Sequence, residues 1–451
     1  MLKNGGIYKI VAPNGLVLSG GDFGFHECDR VVLQSYSHDL NQAWRFRRTS
    51  SGMWRLENLA AGLGLRYLQL GQQKHAPYRL FPLQLSTSFH LQETMDGWLI
   101  GTPGNALTVT EGEHQPVIQG EGTAFCLELI EKIDDELPRM LVLKGDIDHA
   151  AVPEIFRDGD WYYCVAGTWK LWPMEGRIGL LRSKDMIRWY RYDAFLPESK
   201  PRPFSWMEEH VPDCEIWCPG LTYFGGKYRI YYAVTRNCCN TSAMAQLTNV
   251  TLDKDDPRYA WKDEGIVMES TEADDWNAID PHIIRTYENE LWMVYGSALS
   301  GVKVRRIDEE SGKVYDDNVF SVAYREEYPH PAEGGYVFKR DGWYYLICAV
   351  ERTDQNYRTV VGRSPNIRGP YLDKKGVSLM DEGGETIVEF KRGLSYPGHS
   401  SVFQDDEKYY IIFENFYERC STQEMAISTL AWKDGWPQSA AGRTVLGLED
   451  E

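Results

Sequence analysis

Three short segments each set a polar side chain immediately ahead of an apolar, β-forming run. They are Asn277-Ala-Ile-Asp280-Pro-His-Ile-Ile284, Ala332-Glu333-Gly-Gly-Tyr336-Val-Phe338 and Pro397-Gly-His399-Ser-Ser-Val-Phe403. Asp280 and Glu333, brought to face one polar cavity, would supply the pair of carboxyl groups that cleavage of a glycosidic bond needs. One carboxyl gives its proton to the leaving oxygen, and another activates water or attacks the sugar. A further acid nearby holds the donor protonated by like-charge repulsion. Taken singly, each residue also fits a plainer role, Asp280 as the cap of a turn before Pro281 and Glu333 as a solvated loop acid. Their matching positions ahead of repeated strands favour the chemical reading over two coincidences.

The strands that would position these groups belong to a repeat. A Gly- or Asp-rich turn followed by an aromatic strand occurs five times: Asp158-Gly-Asp-Trp-Tyr-Tyr163, Gly225-Gly-Lys-Tyr-Arg-Ile-Tyr-Tyr232, Glu288-Asn-Glu-Leu-Trp-Met-Val-Tyr295, Asp341-Gly-Trp-Tyr-Tyr-Leu346 and Asp405-Asp-Glu-Lys-Tyr-Tyr-Ile411. The starts lie about 50 to 70 residues apart, a period typical of propellers and solenoids. Each phrase is a hairpin signal. The pattern predicts a five-bladed β-propeller, in which the residues before each turn form the innermost strands and converge on one axial pocket.

With 451 residues the chain exceeds one ordinary core, and two domains are expected, over 1–135 and 140–451. The charged stretch Glu131-Lys-Ile-Asp-Asp-Glu136 followed by Pro138 reads as the linker. Fifteen Trp, 27 Tyr and 16 Phe suit an all-β protein, and also suit stacking on sugar rings. A net charge of -18 repels a phosphate backbone, so nucleic acid is excluded as a partner. No apolar run is long enough to span a bilayer, and a monomer is expected. The start, Met1-Leu-Lys-Asn-Gly-Gly-Ile-Tyr8, does not read as a secretion signal, which leaves either a cytoplasmic protein or one whose leader has been removed. The nine cysteines are odd in number and lack paired metal-ligand spacing, so buried thiols are expected rather than a disulfide framework.

Residues 1–135 carry a rhythm of their own. One unit runs from Ile7 through Val31 to Phe46, a second from Met53 to Leu91, and a third from Gly97 through Val117 to Leu129. Three units of about 40 residues predict a β-trefoil. Gln42-Ala-Trp44 resembles the Gln-x-Trp signature of ricin-type lectin domains, which also occur as carbohydrate-binding modules. The later repeats offer Phe89 and Phe125 where the first has Trp44. That Trp is expected to pack the core, leaving any sugar contacts to loop residues such as Asp22, Phe23, His38 and Asn41.

Residues from about 140 to 435 resemble the glycoside hydrolase family 43 propellers, in particular the endo-α-1,5-L-arabinanases. The resemblance rests on Gly226-Lys-Tyr-Arg-Ile-Tyr-Tyr-Ala-Val234 with Asn240-Thr-Ser-Ala243, on Asp275-Trp-Asn-Ala-Ile-Asp-Pro281, and on Leu291-Trp-Met-Val-Tyr-Gly-Ser297. It continues through Gly301-Val-Lys303, Val361-Gly-Arg-Ser364, Gly369-Pro-Tyr371 and Pro397-Gly-His399, in the family's order. It implies an inverting glycosidase with no organic cofactor, acting on arabinose-containing plant polysaccharide. Glu333 would be its general acid, Asp280 the residue that tunes and orients that acid, and His399 an axial residue beside a bound calcium ion. A lone His is a poor ligand for so hard a cation, so waters would have to complete its shell. Arabinan is preferred to xylan or galactan because the stretch from Asn240 to Ala278 is most similar to arabinanases.

The general base departs from the family pattern. An Asp in a His-Asp-Pro motif is implied, but Val152 precedes Pro153; if His149 is the motif's His, Ala150 holds the base position. In the second blade, Trp217-Cys218-Pro219-Gly220 also lacks an acid. The base has then moved to Asp148 or Glu154, or has been replaced by an alanine that traps substrate, or catalysis has been lost and binding kept. The last case would make the chain a non-catalytic carbohydrate-binding protein. Trp217, ahead of the second inner strand, is the expected stacking platform, with Trp169 and Trp172 on nearby loops. Asn277 is a candidate partner for a sugar hydroxyl, as is His399.

Overall fold

The computed structural model describes residues 2–442 apart from 21–29, 38–39, 61–62, 68–76, 83–84, 131–137, 168–176, 197–203, 237–238, 327–330, 352–356, 390–394 and 418–421. The chain divides into two compact units. One comprises Met1–Val142, Lys391–Gly393 and Ser428–Glu451, the other Leu143–Phe390 and Leu394–Ile427. Both are built of strands; among the described residues the one α-helix is Ser205–His210. Among the described residues no helix is long and apolar enough to cross a membrane.

The second unit is a five-bladed propeller of antiparallel sheets. The inner strands are Ala151–Asp158, Glu215–Phe224, His282–Arg285, Glu333–Arg340 and Ser395–Asp405. Each pairs with the strand that follows it, and the five pack on one another in a closed ring. The aromatic phrases explain the hairpins. Pairs such as Phe224↔Lys227 and Arg340↔Trp343 leave two-residue loops. At Gly225-Gly226 and Asp341-Gly342 both loop residues have positive φ, the twist that hairpins of this length require. The ring closes where the fifth blade meets the first: Met425 N–H donates to Ile147 O (3.0 Å), and Ser401 Oγ donates to Pro153 O (2.7 Å).

Apolar side chains fill the spaces between blades. Val165, Leu180 and Leu221 meet Ile230 and Val234 between the first and second, and Val294, Val304, Val337 and Leu346 meet between the third and fourth. Burying these β-branched faces contributes about 25 cal/mol per Å² of apolar surface, which makes them the main support of the axial geometry.

In the first unit, twelve strands lie among the described residues before 130. Trp44, Phe89 and Phe125, the three residues at matching points of the repeat, are all buried. The backbone closes a cycle: Val31 N–H donates to Tyr78 O (2.9 Å), Tyr78 N–H to Val117 O (2.8 Å), and Val117 N–H to Val31 O (2.9 Å). Gln42 and Trp44 are structural, as expected. Gln42 bridges Ser35 O and the Ser37 N–H, and the Trp44 indole donates to Leu18 O. Asp22, Phe23 and His38 lie outside the described residues, as do Trp169 and Trp172.

Candidate active site

The five inner strands build the axis from two rings of side chains. The upper ring is Val152, Cys218, Asp280, Gly334 and His399, and every member has positive φ, between 42° and 59°. Val152, Cys218 and Asp280 each precede a proline. On four of the strands the pairing register slips across this point, a β-bulge that turns the chain's start into the axis. Left-handed backbone at a valine is a genuine outlier, and such strain gathers at functional sites. The shared geometry settles the register of the first blade: Val152, not Ala150, is the counterpart of Asp280.

Two residues further along the strands lies the lower ring: Glu154, Gly220, His282, Tyr336 and Ser401. Members of both rings line one small axial cavity of about 30 Å³. His282 stacks on Tyr336 with centroids 3.5 Å apart, and its Nδ1 lies 3.5 Å from Glu154 Oε1. Gly220 is needed here because a Cβ would sit 2.8 Å from Glu154 Oε2 and 2.8 Å from Pro281 O.

Glu333 and Asp280 come together as the sequence suggested. Asp280 Oδ2 accepts the Gly334 N–H at 3.0 Å, which fixes the backbone next to Glu333. Glu333 is buried; its Oε2 accepts from Ser297 Oγ (2.9 Å) and its Oε1 from Tyr357 OH (2.8 Å). His399 Nε2 lies 3.5 Å from that same Oε1. Burial pushes the Asp280 pKa up, with His399 pulling it down and Glu333 raising it again. For His399, burial alone would lower the pKa, but Asp280 and then Glu333 hold it up at about 10, so the imidazole carries a proton between two carboxylates.

The other expected residues separate. Asp148 does not line the cavity: its carboxylate is half-exposed and held by Arg191 Nη2 at 3.2 Å. Glu154 does line it, one ring away from Asp280. The Trp217 indole donates to Glu215 Oε2 (3.0 Å) just ahead of Cys218. Asn277 Oδ1 lies 3.5 Å from Ser270 Oγ, which gives its proton to Asn240 O at 2.8 Å and accepts the Ala278 N–H at 3.0 Å.

Two residues were missed. Glu414, on the second strand of the fifth blade, is 6% exposed, and its Oε2 accepts the Val152 N–H at 3.0 Å and a bond from Gln423 at 3.0 Å. Its charge is felt at both Cys218 and His399. A glutamate in the apolar run Tyr409-Tyr-Ile-Ile-Phe-Glu414 was the available signal. Cys218 is the other; burial and then Asp280, Glu414 and Glu333 raise its thiol pKa well above the ordinary value. It belongs to the buried thiols expected from composition: of the six described cysteines, all without a disulfide, four are buried.

A closed ring of five antiparallel blades with paired carboxyl groups at its axis defines a propeller of the glycosidase class. The chain belongs to the glycosyl hydrolases family 43, whose sequence pattern matches residues 146–437. It is 31% identical over 306 residues to an extracellular exo-α-(1→5)-L-arabinofuranosidase of Cellvibrio japonicus, covering 63% of this chain and 85% of that protein. Among solved structures it is similar to the family 43 endo-arabinanase of Bacillus licheniformis, with a TM-score of 0.59 at 28% identity over 66% of this chain and 99% of that one. The α-L-arabinanase of Cellvibrio cellulosa, solved with arabinohexaose, gives a TM-score of 0.58 at 26% identity over 65% of this chain and 96% of that one.

Proposed function

We propose that the protein is an inverting glycosidase that cleaves α-1,5-linked arabinose chains of plant polysaccharide. The observation that carries this reading is the coupling of Glu333 to Asp280 through the Gly334 N–H and the protonated His399. Glu333 delivers its proton to the leaving oxygen. Asp280 orients it through the Gly334 N–H. An inverting reaction also needs a carboxylate on the far side of the sugar, about 6.5–9.5 Å from the acid, to activate water. Glu414, whose carboxylate accepts the Val152 N–H, is the candidate we favour for that role. Glu154 lies one ring deeper, against His282.

Loss of catalysis is not favoured. Burying two carboxylates side by side is costly and has no structural need in a ring already closed by apolar packing. The relatives named for arabinan chemistry include an exo- and an endo-acting enzyme, and this chain's preference between them follows from product size. The first unit we read as a ricin-type β-trefoil that binds carbohydrate. The cyclic bonds among Val31, Tyr78 and Val117, and the Gln42–Trp44 core pair, support that fold.

The test is incubation with linear arabinan followed by product sizing. The expected result is release of arabinose or short arabino-oligosaccharides by the wild-type protein and their loss in Glu333→Gln. Full activity in Glu333→Gln would sink the acid assignment, and no turnover of any arabinose-linked substrate would sink the reading itself.

A further inference from the structure

The family resemblance implies calcium at His399, and the residues present do not fit it. Calcium takes about six to eight oxygen ligands, whereas the buried group at the axis offers one sulfur, one carboxylate and one imidazole nitrogen. Donor atoms of Cys218, Asp280 and His399 all lie within 4.8 Å of one another. We propose that these three residues form a binding site for a divalent ion of the zinc class, which accepts thiolate, imidazole and carboxylate together.

Two orphaned atoms point to a ligand there. Asp280 is 6% exposed; no N–H or O–H donor among the described residues reaches its Oδ1, and the Cys218 thiol is the remaining donor beside its carboxylate. His399 Nδ1 is likewise without a hydrogen-bond partner. Leaving a buried carboxylate oxygen unpaired costs on the order of 1–3 kcal/mol or more, and a bound cation removes that cost. The opposite faces of both side chains are already oriented: Asp280 Oδ2 by the Gly334 N–H at 3.0 Å, His399 Nε2 by Glu333 Oε1 at 3.5 Å. A carboxylate behind a metal-binding imidazole is the usual outer partner of such a ligand. Gly334 leaves room for the ring, since a Cβ there would sit 3.3 Å from His399 Cγ.

Charge points the same way. Asp280, Glu333 and Glu414 surround the Cys218 thiol, a concentration of negative field in a buried space. Tetrahedral zinc with bonds of about 2.0–2.3 Å wants donors roughly 3.3–3.8 Å apart, so a small inward rotation of the three side chains closes the shell. The fourth position opens onto the axial cavity. Binding of the ion would displace the protons carried by His399 and the Cys218 thiol, so the ion-bound form and the imidazolium form of the axis are alternative states.

The test uses full-length protein stripped of metal and titrated with Co²⁺, then Zn²⁺, then Ca²⁺. One equivalent of Co²⁺ should produce a sulfur-to-cobalt charge-transfer band. Zn²⁺ should abolish that band and raise the melting temperature, while Ca²⁺ does neither. The band should disappear in Cys218→Ala and in His399→Ala and persist in Cys348→Ala, whose thiol is buried elsewhere. Absence of the band in the wild type, its survival in Cys218→Ala, or stoichiometric Ca²⁺ binding would each overturn the site. Because the readout is spectroscopic, failure of arabinan hydrolysis leaves it standing, and the converse also holds.

Discussion

At the scale of single residues, the axis is a substitution problem. The position ahead of Pro153 holds a valine in strained left-handed backbone, and a glutamate from the neighbouring blade reaches the same backbone from behind. If Glu414 activates water, Glu414→Gln should lower kcat by two or more orders of magnitude, the usual size of a lost general base. Adding Val152→Asp to that variant should restore a measurable part of the rate, since it places a carboxylate where blade symmetry wants one. A double variant as slow as Glu414→Gln alone would show that the carboxylate does not act there. Asp280→Asn should lower kcat/KM and change its pH profile, because it removes the charge next to Glu333 while keeping an acceptor for the Gly334 N–H. Unchanged kinetics would remove Asp280 from the mechanism. Cys218 was legible as a residue type but not as a donor, because its neighbours in space, Asp280 and His399, lie far from it in sequence.

At the scale of elements, the bulged start of each inner strand aims these groups, and small residues make the room. In the Pro397-Gly-His399 turn, a Cβ on Gly398 would lie 1.9 Å from Tyr357 Cε1. Gly398→Ala must therefore push aside the ring whose hydroxyl holds Glu333. Overpacking of this kind costs about 1–3 kcal/mol, so a lower melting temperature together with reduced kcat is expected; a fully active, equally stable variant would count against that coupling. Blade closure gives a pH signature. Glu424 bridges Asp148 across the ring closure, and burial, then the Asp148 charge, raises its pKa. A carboxyl raised in the fold binds its proton more tightly there than in the unfolded chain. Its contribution to stability is favourable at low pH and is lost as pH rises through the folded value. Glu424→Gln should therefore match or exceed wild-type stability at neutral pH, with the difference shrinking below about pH 4, the ordinary carboxyl range. Chemical denaturation at several pH values measures this, and a variant less stable at pH 7 would contradict it.

At the scale of the whole molecule, the net charge of -18 predicts no retention of DNA even at about 50 mM salt, where counterion release favours binding most. Retardation of DNA on a gel would refute that. The sequence by itself determined the repeat and its consequence. Five turn-plus-aromatic phrases are local signals, written in neighbouring residues, and hairpin formation depends on little else; hence blade number, inner strands, and the approach of Asp280, Glu333 and His399 to one axis were legible in advance. The three-part rhythm before residue 130 is legible on the same ground, through Trp44, Phe89 and Phe125. Tertiary structure alone decided which groups meet across blades. Asp148 and Glu154 lie six residues apart, yet the first is held outside by Arg191 and the second points inward. Whether a strand's first residue faces the axis depends on the bulge and on its neighbours' packing, neither of which is encoded locally. The meeting of Val152 with Glu414, and of Cys218 with Asp280 and His399, likewise exists only once five sheets have closed into a ring, because chain closure sets distances that no sequence spacing carries.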